Sequence, residues 1–130
     1  MKIIPVTCAI IQFEEKVLAV QRSETMKLPL KWEFAGGKVE PGETEADCIK
    51  REILEELNIK IKVEKRLTPV IHEYPDFKIK LIPFMAEFVS GELKLSEHRD
   101  FVLADKKDLS NLDWAEADLP ILKEYLLQSR

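Results

Sequence analysis

Gly36-Gly37-Lys38-Val39-Glu40-Pro41-Gly42-Glu43, followed after seven residues by Arg51-Glu52-Ile53-Leu54-Glu55-Glu56-Leu57-Asn58-Ile59, is the stretch on which the reading of this sequence turns. Between Thr44 and Leu57 there is neither Pro nor Gly, and Ala46, Ile49, Ile53 and Leu57 recur at helical spacing. The spacing predicts a helix over 44–57 with one apolar stripe turned to a core. Pro41-Gly42-Glu43-Thr44 supplies the entering turn with Thr44 as N-cap, and Asn58 tolerates the left-handed conformation that ends a helix. Glu52, Glu55 and Glu56 stand at i, i+3 and i+4, so their carboxylates project from one face, roughly 100° from the stripe at 3.6 residues per turn. Like charges at this spacing repel. A hard divalent cation, Mg²⁺ with Mn²⁺ as the alternative, relieves that repulsion and binds carboxylate oxygen. Taken alone, the three acids would equally describe a solvated helix face.

The sequence bounds the alternatives. Its 130 residues suffice for one domain with a proper core, read as a single unit over 1–130. A formal net charge of −4 argues against a general nucleic-acid surface, which needs a clear excess of Lys and Arg. No run approaches the roughly 18 apolar residues of a membrane span, and the start lacks a signal-peptide layout, so membranes are excluded as partners and a cytoplasmic location is expected. Cys8 and Cys48 lack metal-type spacing and read as reduced packing residues.

Along the chain, Ile3 to Ile11 reads as a strand buried on both faces and Val17 to Arg22 as a second; Ser23 to Lys31 is a loop delivering Trp32-Glu33-Phe34. Ile59 to Glu73 and Phe77 to Val89 are two β-rich runs joined at Tyr74-Pro75-Asp76, a hairpin signal. In the second run the apolar residues shift from odd to even positions at Pro83, which predicts a bulge or an edge there. Phe101 to Ala104 is a short strand. Ala117 to Gln128 is an amphipathic helix with Ile121, Leu122, Tyr125 and Leu126 as its apolar face. Strands interleaved with two helices predict an α/β class, a mixed sheet between helical layers.

Gly37, Glu43, Arg51, Glu52, Ile53, Glu55, Glu56 and Ile59 together resemble the Nudix hydrolase signature, which runs Gly, five residues, Glu, seven residues, Arg-Glu, an aliphatic, any residue, Glu-Glu, any residue, Gly and an aliphatic. Only Asn58 departs, standing where the family has Gly, and both residues can take positive φ. The resemblance implies the Nudix fold, an α/β/α sandwich, and hydrolysis of a nucleoside diphosphate linked to another group. It implies Glu52, Glu55 and Glu56 as metal ligands, Glu56 and Glu52 most directly, joined by the backbone carbonyl of Gly37. Arg51 would orient carboxylates from a place between Glu43 and the ligand helix, a bidentate task unsuited to Lys. The base that takes a proton from the attacking water would be Glu55, Glu52 or, as in MutT-like enzymes, an acid of the loop before the last strand. Here that loop carries Ser96-Glu97-His98, with Glu97 as candidate base or ligand; His98 either contacts phosphate or is exposed.

Beyond the signature, Trp32 to Glu40, Glu97-His98 and Trp114 to Pro120 look like the MutT and CTP pyrophosphohydrolase branch, which converts nucleoside triphosphates to monophosphate and pyrophosphate. By that likeness Arg22, and more weakly Lys38, would meet phosphate, Phe34 and Trp32 would stack on the base or belong to the core, and Asp118 would bond the base edge or cap the last helix. The expected partner is a small nucleotide, CTP, dCTP or a modified relative, and the chain would act as monomer or homodimer. ADP-ribose or a dinucleoside polyphosphate is the alternative substrate. A non-catalytic nucleotide-binding module is the third reading, against which the intact acidic set counts. His72 and Tyr74 receive no role.

Overall fold

The computed structural model describes residues 2–128. Its frame is a mixed sheet in which β1 (Ile3–Phe13) and β7 (Lys78–Gly91) run parallel at the centre. Antiparallel partners flank them: β2 (Lys16–Gln21) and β4 (Gly36–Lys38) on β1, β5 (Ile59–Arg66) and β6 (Val70–Glu73) on β7, and β3 (Trp32–Glu33) and β8 (Asp100–Asp105) on β2. Alternation along the strands divides the core in two. Cys8, Ile10, Val17, Ala19, Leu81 and Met85 face one way and meet Ile121, Leu122 and Tyr125 of α2 (Leu119–Leu126). Their neighbours Ala9, Ile11, Leu18, Val20, Ile82, Phe84 and Ala86 face the other way and meet Ile49, Ile53 and Leu57 of α1 (Glu45–Leu57). Each of these large aliphatic side chains contributes about 1.5–3 kcal/mol on burial, so the α/β/α sandwich follows from strands that are apolar on both faces.

The helix over α1 forms as the sequence predicts. Thr44 Oγ1 accepts from the Asp47 N–H at 3.1 Å, capping the first turn. At the other end Asn58 takes φ 61°, ψ 29°, and its N–H donates to Leu54 O at 3.0 Å. Its side-chain amide also donates to Glu92 O at 2.9 Å, a bond that glycine could not make.

Elsewhere the boundaries differ. The long run after α1 is two strands, β5 and β6, interrupted at 67–69, where Leu67 turns inward and its N–H donates to Pro83 O. Pro83 therefore marks neither a bulge nor an edge. β7 is a central strand, and the residue without an N–H stands opposite the break between its two partners. The register shifts lie in β5, between Lys60 and Ile61 and between Val63 and Lys65. The odd-to-even change in β7 reflects which face is covered: Ile79, Leu81 and Met85 reach the α2 side, and Ile82, Phe84, Ala86 and Phe88 the α1 side, with no change of phase. The last helix begins at Leu119, later than expected, because Glu116–Asp118 form a 3₁₀ turn. Asp118 precedes that helix without capping it by a side-chain bond. No described helix is long and apolar enough to cross a membrane.

Asn58→Gly should cost about 1 kcal/mol through loss of the bond to Glu92. Asn58→Ala should cost a further ~1–2 kcal/mol because alanine strains the left-handed exit. Chemical denaturation of the two variants separates these contributions.

Candidate active site

Arg51 organises the exposed end of the site. Its Nε and Nη2 donate to the two oxygens of Glu43 at 2.6 and 3.0 Å, while Nη1 donates to Glu52 Oε2 at 3.0 Å and Glu55 Oε2 at 3.0 Å. Nη2 also reaches Lys38 O at 3.2 Å, tying α1 to β4. Bidentate contact with the guanidinium holds the Glu43 carboxyl at about 2, well below the usual carboxylate range, and the Glu40 N–H adds to this. Gly37 lies against Glu52 so closely that a Cβ there would overlap the carboxylate. Its carbonyl accepts from Thr7 Oγ1 at 3.2 Å, and Thr7 in turn lies 3.2 Å from Cys48 Sγ.

The three helix acids do not converge on one point, as their spacing alone suggests. Glu52 and Glu55 meet at Arg51, whereas Glu56 makes no ion pair with it and keeps Oε2 buried and unbonded. Among the described residues no three Asp, Glu, His or Cys side chains form a ready-made cation cage. The donor chemistry nevertheless fits a divalent cation. Burial pushes the Glu56 carboxyl up, the neighbouring Glu97 carboxylate adds to the shift, and His98 opposes it. A buried carboxylate oxygen with no donor, beside further carboxylates, is what a bound cation would satisfy.

Glu97 is exposed and has no bonded partner among the described residues. Its loop is fixed by Ser96 N–H to Glu56 O at 3.0 Å and Arg99 N–H to Gln21 O at 2.9 Å. His98 is not exposed: its side chain is 5% accessible and Nε2 lies 2.8 Å from Glu33 Oε2. Glu33 Oε1 accepts from Arg22 Nη1 at 2.8 Å.

Behind Glu33 a cavity of about 390 Å³ opens on the α2 side of the sheet, a volume in the range of small-molecule sites. Arg22, Glu33, Phe34, Tyr74 and Asp118 line it. Phe34 belongs to the core, 3% exposed and 4.7 Å from Trp114 between ring centroids, so it is a wall and not a free stacking platform. Trp32 is not in the lining, and neither is Lys38, which is exposed and contributes its carbonyl to Arg51. Asp118 is buried and accepts the Phe34 N–H at 2.9 Å. Burial, reinforced by the Glu33 carboxylate, pushes its carboxyl up to about 8, so it is largely protonated at neutral pH.

The structure thus brings together Gly37, Glu43, Arg51, Glu52 and Glu55, sets Glu56 and Glu97 beside them, and groups Arg22, Phe34 and Asp118 around the cavity. Residues 33–37 connect the two parts. Glu33 and Tyr74 had no role in the sequence reading. A charged residue between Trp32 and Phe34 was the available signal for Glu33; Tyr74 gave none beyond its place in a turn.

A NUDIX domain model matches residues 1–125. The chain is 33% identical to CTP pyrophosphohydrolase of Escherichia coli K12 over 126 residues, covering 97% of this chain and 93% of that protein. It is 30% identical to the putative 8-oxo-dGTP diphosphatase 2 of Mycobacterium tuberculosis H37Rv, over 78% of this chain and 73% of the relative. The solution structure of MutT, a family Nudix hydrolase from methicillin-resistant Staphylococcus aureus 252, superimposes with a TM-score of 0.80 at 38% identity, covering 98% of both chains.

Asp118 makes stability depend on pH. Its folded carboxyl titrates at about 8 against an ordinary 3.8, so the favourable contribution is full below the lower value, declines as pH rises, and is gone above about 8. Asp118→Asn should flatten the fall in urea midpoint between pH 5 and 9. Gly37→Ala should displace the Glu52 carboxylate and reduce turnover by about tenfold or more while the fold survives, which steady-state kinetics and thermal melting together would show.

Proposed function

This chain belongs to the Nudix hydrolase family, and from that premise we propose that it hydrolyses a nucleoside triphosphate carrying cytosine or a modified base to the monophosphate and pyrophosphate. The observation that carries the base assignment is Asp118, buried in the wall of the cavity, where desolvation favours the neutral carboxyl. A neutral carboxyl offers one O–H donor and one acceptor side by side. Cytosine presents the complement, an acceptor at N3 beside the N4 amino donor. The likeness to a CTP pyrophosphohydrolase over nearly the whole chain supports the same choice. An oxidised purine is the second reading, favoured by the likeness to a putative 8-oxo-dGTP diphosphatase.

In this reading Glu56 and Glu52 hold Mg²⁺ or Mn²⁺, with Glu55 and the Gly37 carbonyl as further donors. When bound, the cation would neutralise phosphate charge and acidify water. Arg51 keeps Glu52 and Glu55 oriented, and Glu43 keeps Arg51 in place. Arg22, on the cavity wall and steadied by Glu33, faces the nucleotide. A water adds to phosphorus as the bridging P–O bond breaks and the pyrophosphate oxygen leaves with the electron pair. Glu97 takes the water proton: Glu52 and Glu55 are already engaged by Arg51, whereas Glu97 is unpaired among the described residues. A small nucleotide is therefore the partner, and the two unpaired, buried thiols suit a cytoplasmic enzyme.

Pyrophosphate release with Mg²⁺ should be fastest from CTP, dCTP or 5-methyl-dCTP, measured against 8-oxo-dGTP, ADP-ribose and diadenosine polyphosphates. Glu56→Gln should abolish it, and Glu97→Gln should lower kcat by about 100-fold or more. Preferential turnover of ADP-ribose or a dinucleoside polyphosphate would reassign the substrate, and no turnover of any compound would sink the enzymatic reading.

A further inference from the structure

His98 joins the two halves of the site, and its surroundings point to a task. The ring is nineteen-twentieths buried, yet only Nε2 is bonded; Nδ1 is shut off from solvent with no partner among the described residues. A carboxylate can only accept, so Glu33 requires Nε2 to be the donor and leaves Nδ1 as the free ring nitrogen. The other oxygen of Glu33 holds Arg22, so one carboxylate pins both a guanidinium on the cavity wall and the imidazole of the Glu97 loop. Glu56 Oε2 is likewise buried and unbonded, so no hydrogen bond joins it to Nδ1, and the link from His98 to α1 runs through the loop backbone. The flanking backbone is fixed on both sides, by Ser96 to Glu56 O and by Arg99 to Gln21 O, which places the imidazole between the end of α1 and the end of β2.

Packing alone does not account for this arrangement. A buried imidazole with one unbonded nitrogen costs desolvation that an apolar side chain of the same size would avoid. The cost is explained if the ring orients groups that act on the substrate, in the way that outer hydrogen-bond partners orient metal ligands.

We propose that His98 is a positioning residue of the hydrolytic centre: pinned at Nε2 by Glu33, its ring anchors the Glu97 loop, whose Ser96 N–H is bonded to Glu56 O, in the arrangement that receives the cation. This rests on the metal-dependent reading above. The Arg22–Glu33–His98 chain makes the cavity wall and the cation-binding end of α1 one rigid unit. It also explains why an acid occupies the position between Trp32 and Phe34, on a two-residue strand next to the core.

Mn²⁺ binding, followed by electron paramagnetic resonance of the free ion, tests the proposal without reference to turnover. His98→Phe should weaken Mn²⁺ about tenfold and lower kcat with a smaller change in KM. His98→Gln, which keeps a donor for Glu33, should recover most of both. Unchanged Mn²⁺ affinity in His98→Phe would overturn the proposal, as would a Gln variant no better than Phe. Failure of the parent protein to bind Mn²⁺ would instead refute the metal-dependent reading itself. Should the Phe variant not fold, the parent supplies an independent readout, because it has only two histidines. On addition of Mg²⁺ the ring ¹⁵N resonances of His98 should shift while those of His72 stay fixed, and an unmoved His98 would overturn the assignment.

Discussion

The guanidinium of Arg51 is the constraint on which the site depends. It touches Glu43 before the helix, Glu52 and Glu55 on it, and the carbonyl of Lys38 on β4. Without a cation at that position, Glu52 and Glu55 would repel each other across one helical turn, and the contacts of Cys48 Sγ with the Gly37 and Lys38 carbonyls would be left as the polar ties between α1 and β4. The planar fork serves all these partners at once, which a single ammonium could not do. Bidentate contact with the guanidinium holds the Glu43 carboxyl well below the usual carboxylate range, so this one pair resists protonation.

The sheet separates the cavity from the carboxylates. The cavity with Asp118 belongs to the α2 face and the carboxylates to the α1 face. Residues 33–37 pass between them, presenting Glu33 and Phe34 to the cavity and Gly37 to Glu52. Gly36 adjoins the backbone of Thr7 and Cys8 so closely that any side chain there would collide with β1. Small residues at this crossing allow two elements to approach on opposite faces of one sheet.

How much of this could be read from the sequence follows from the range of the interactions. The helix from its Thr44 cap to its Asn58 exit was legible because caps, stripe and charge spacing lie within a few residues of one another. The Arg51–Glu43 pairing, eight residues apart, was accessible through the motif. Features made by distant partners were not. The bond that fixes Asp118 joins residues 84 apart, and that between His98 and Glu33 residues 65 apart. Asp118 is buried and neutral only because of what folds over it, so its sequence position suggested a cap that the structure does not use. Pro83 misled for a similar reason: one strand covered on both faces in its middle produces an apolar pattern that looks like a change of phase. The three carboxylates of α1 share a face, but side-chain torsions and Arg51 decide where each one points.

The parallel pairing of β1 with β7 also sets a timetable. From Ile3↔Lys78 to Gln12↔Glu87, every partner of the first strand lies 75 residues further along the chain. At about 5–20 residues per second of synthesis, β1 waits roughly 4–15 s on the ribosome before its main neighbour exists. Meanwhile it can pair only with β2 and β4, leaving one apolar edge open to chaperones or to other nascent chains. β7 must then enter between β1 and β5, so the strand that unites the two halves of the protein is among the last to be laid down.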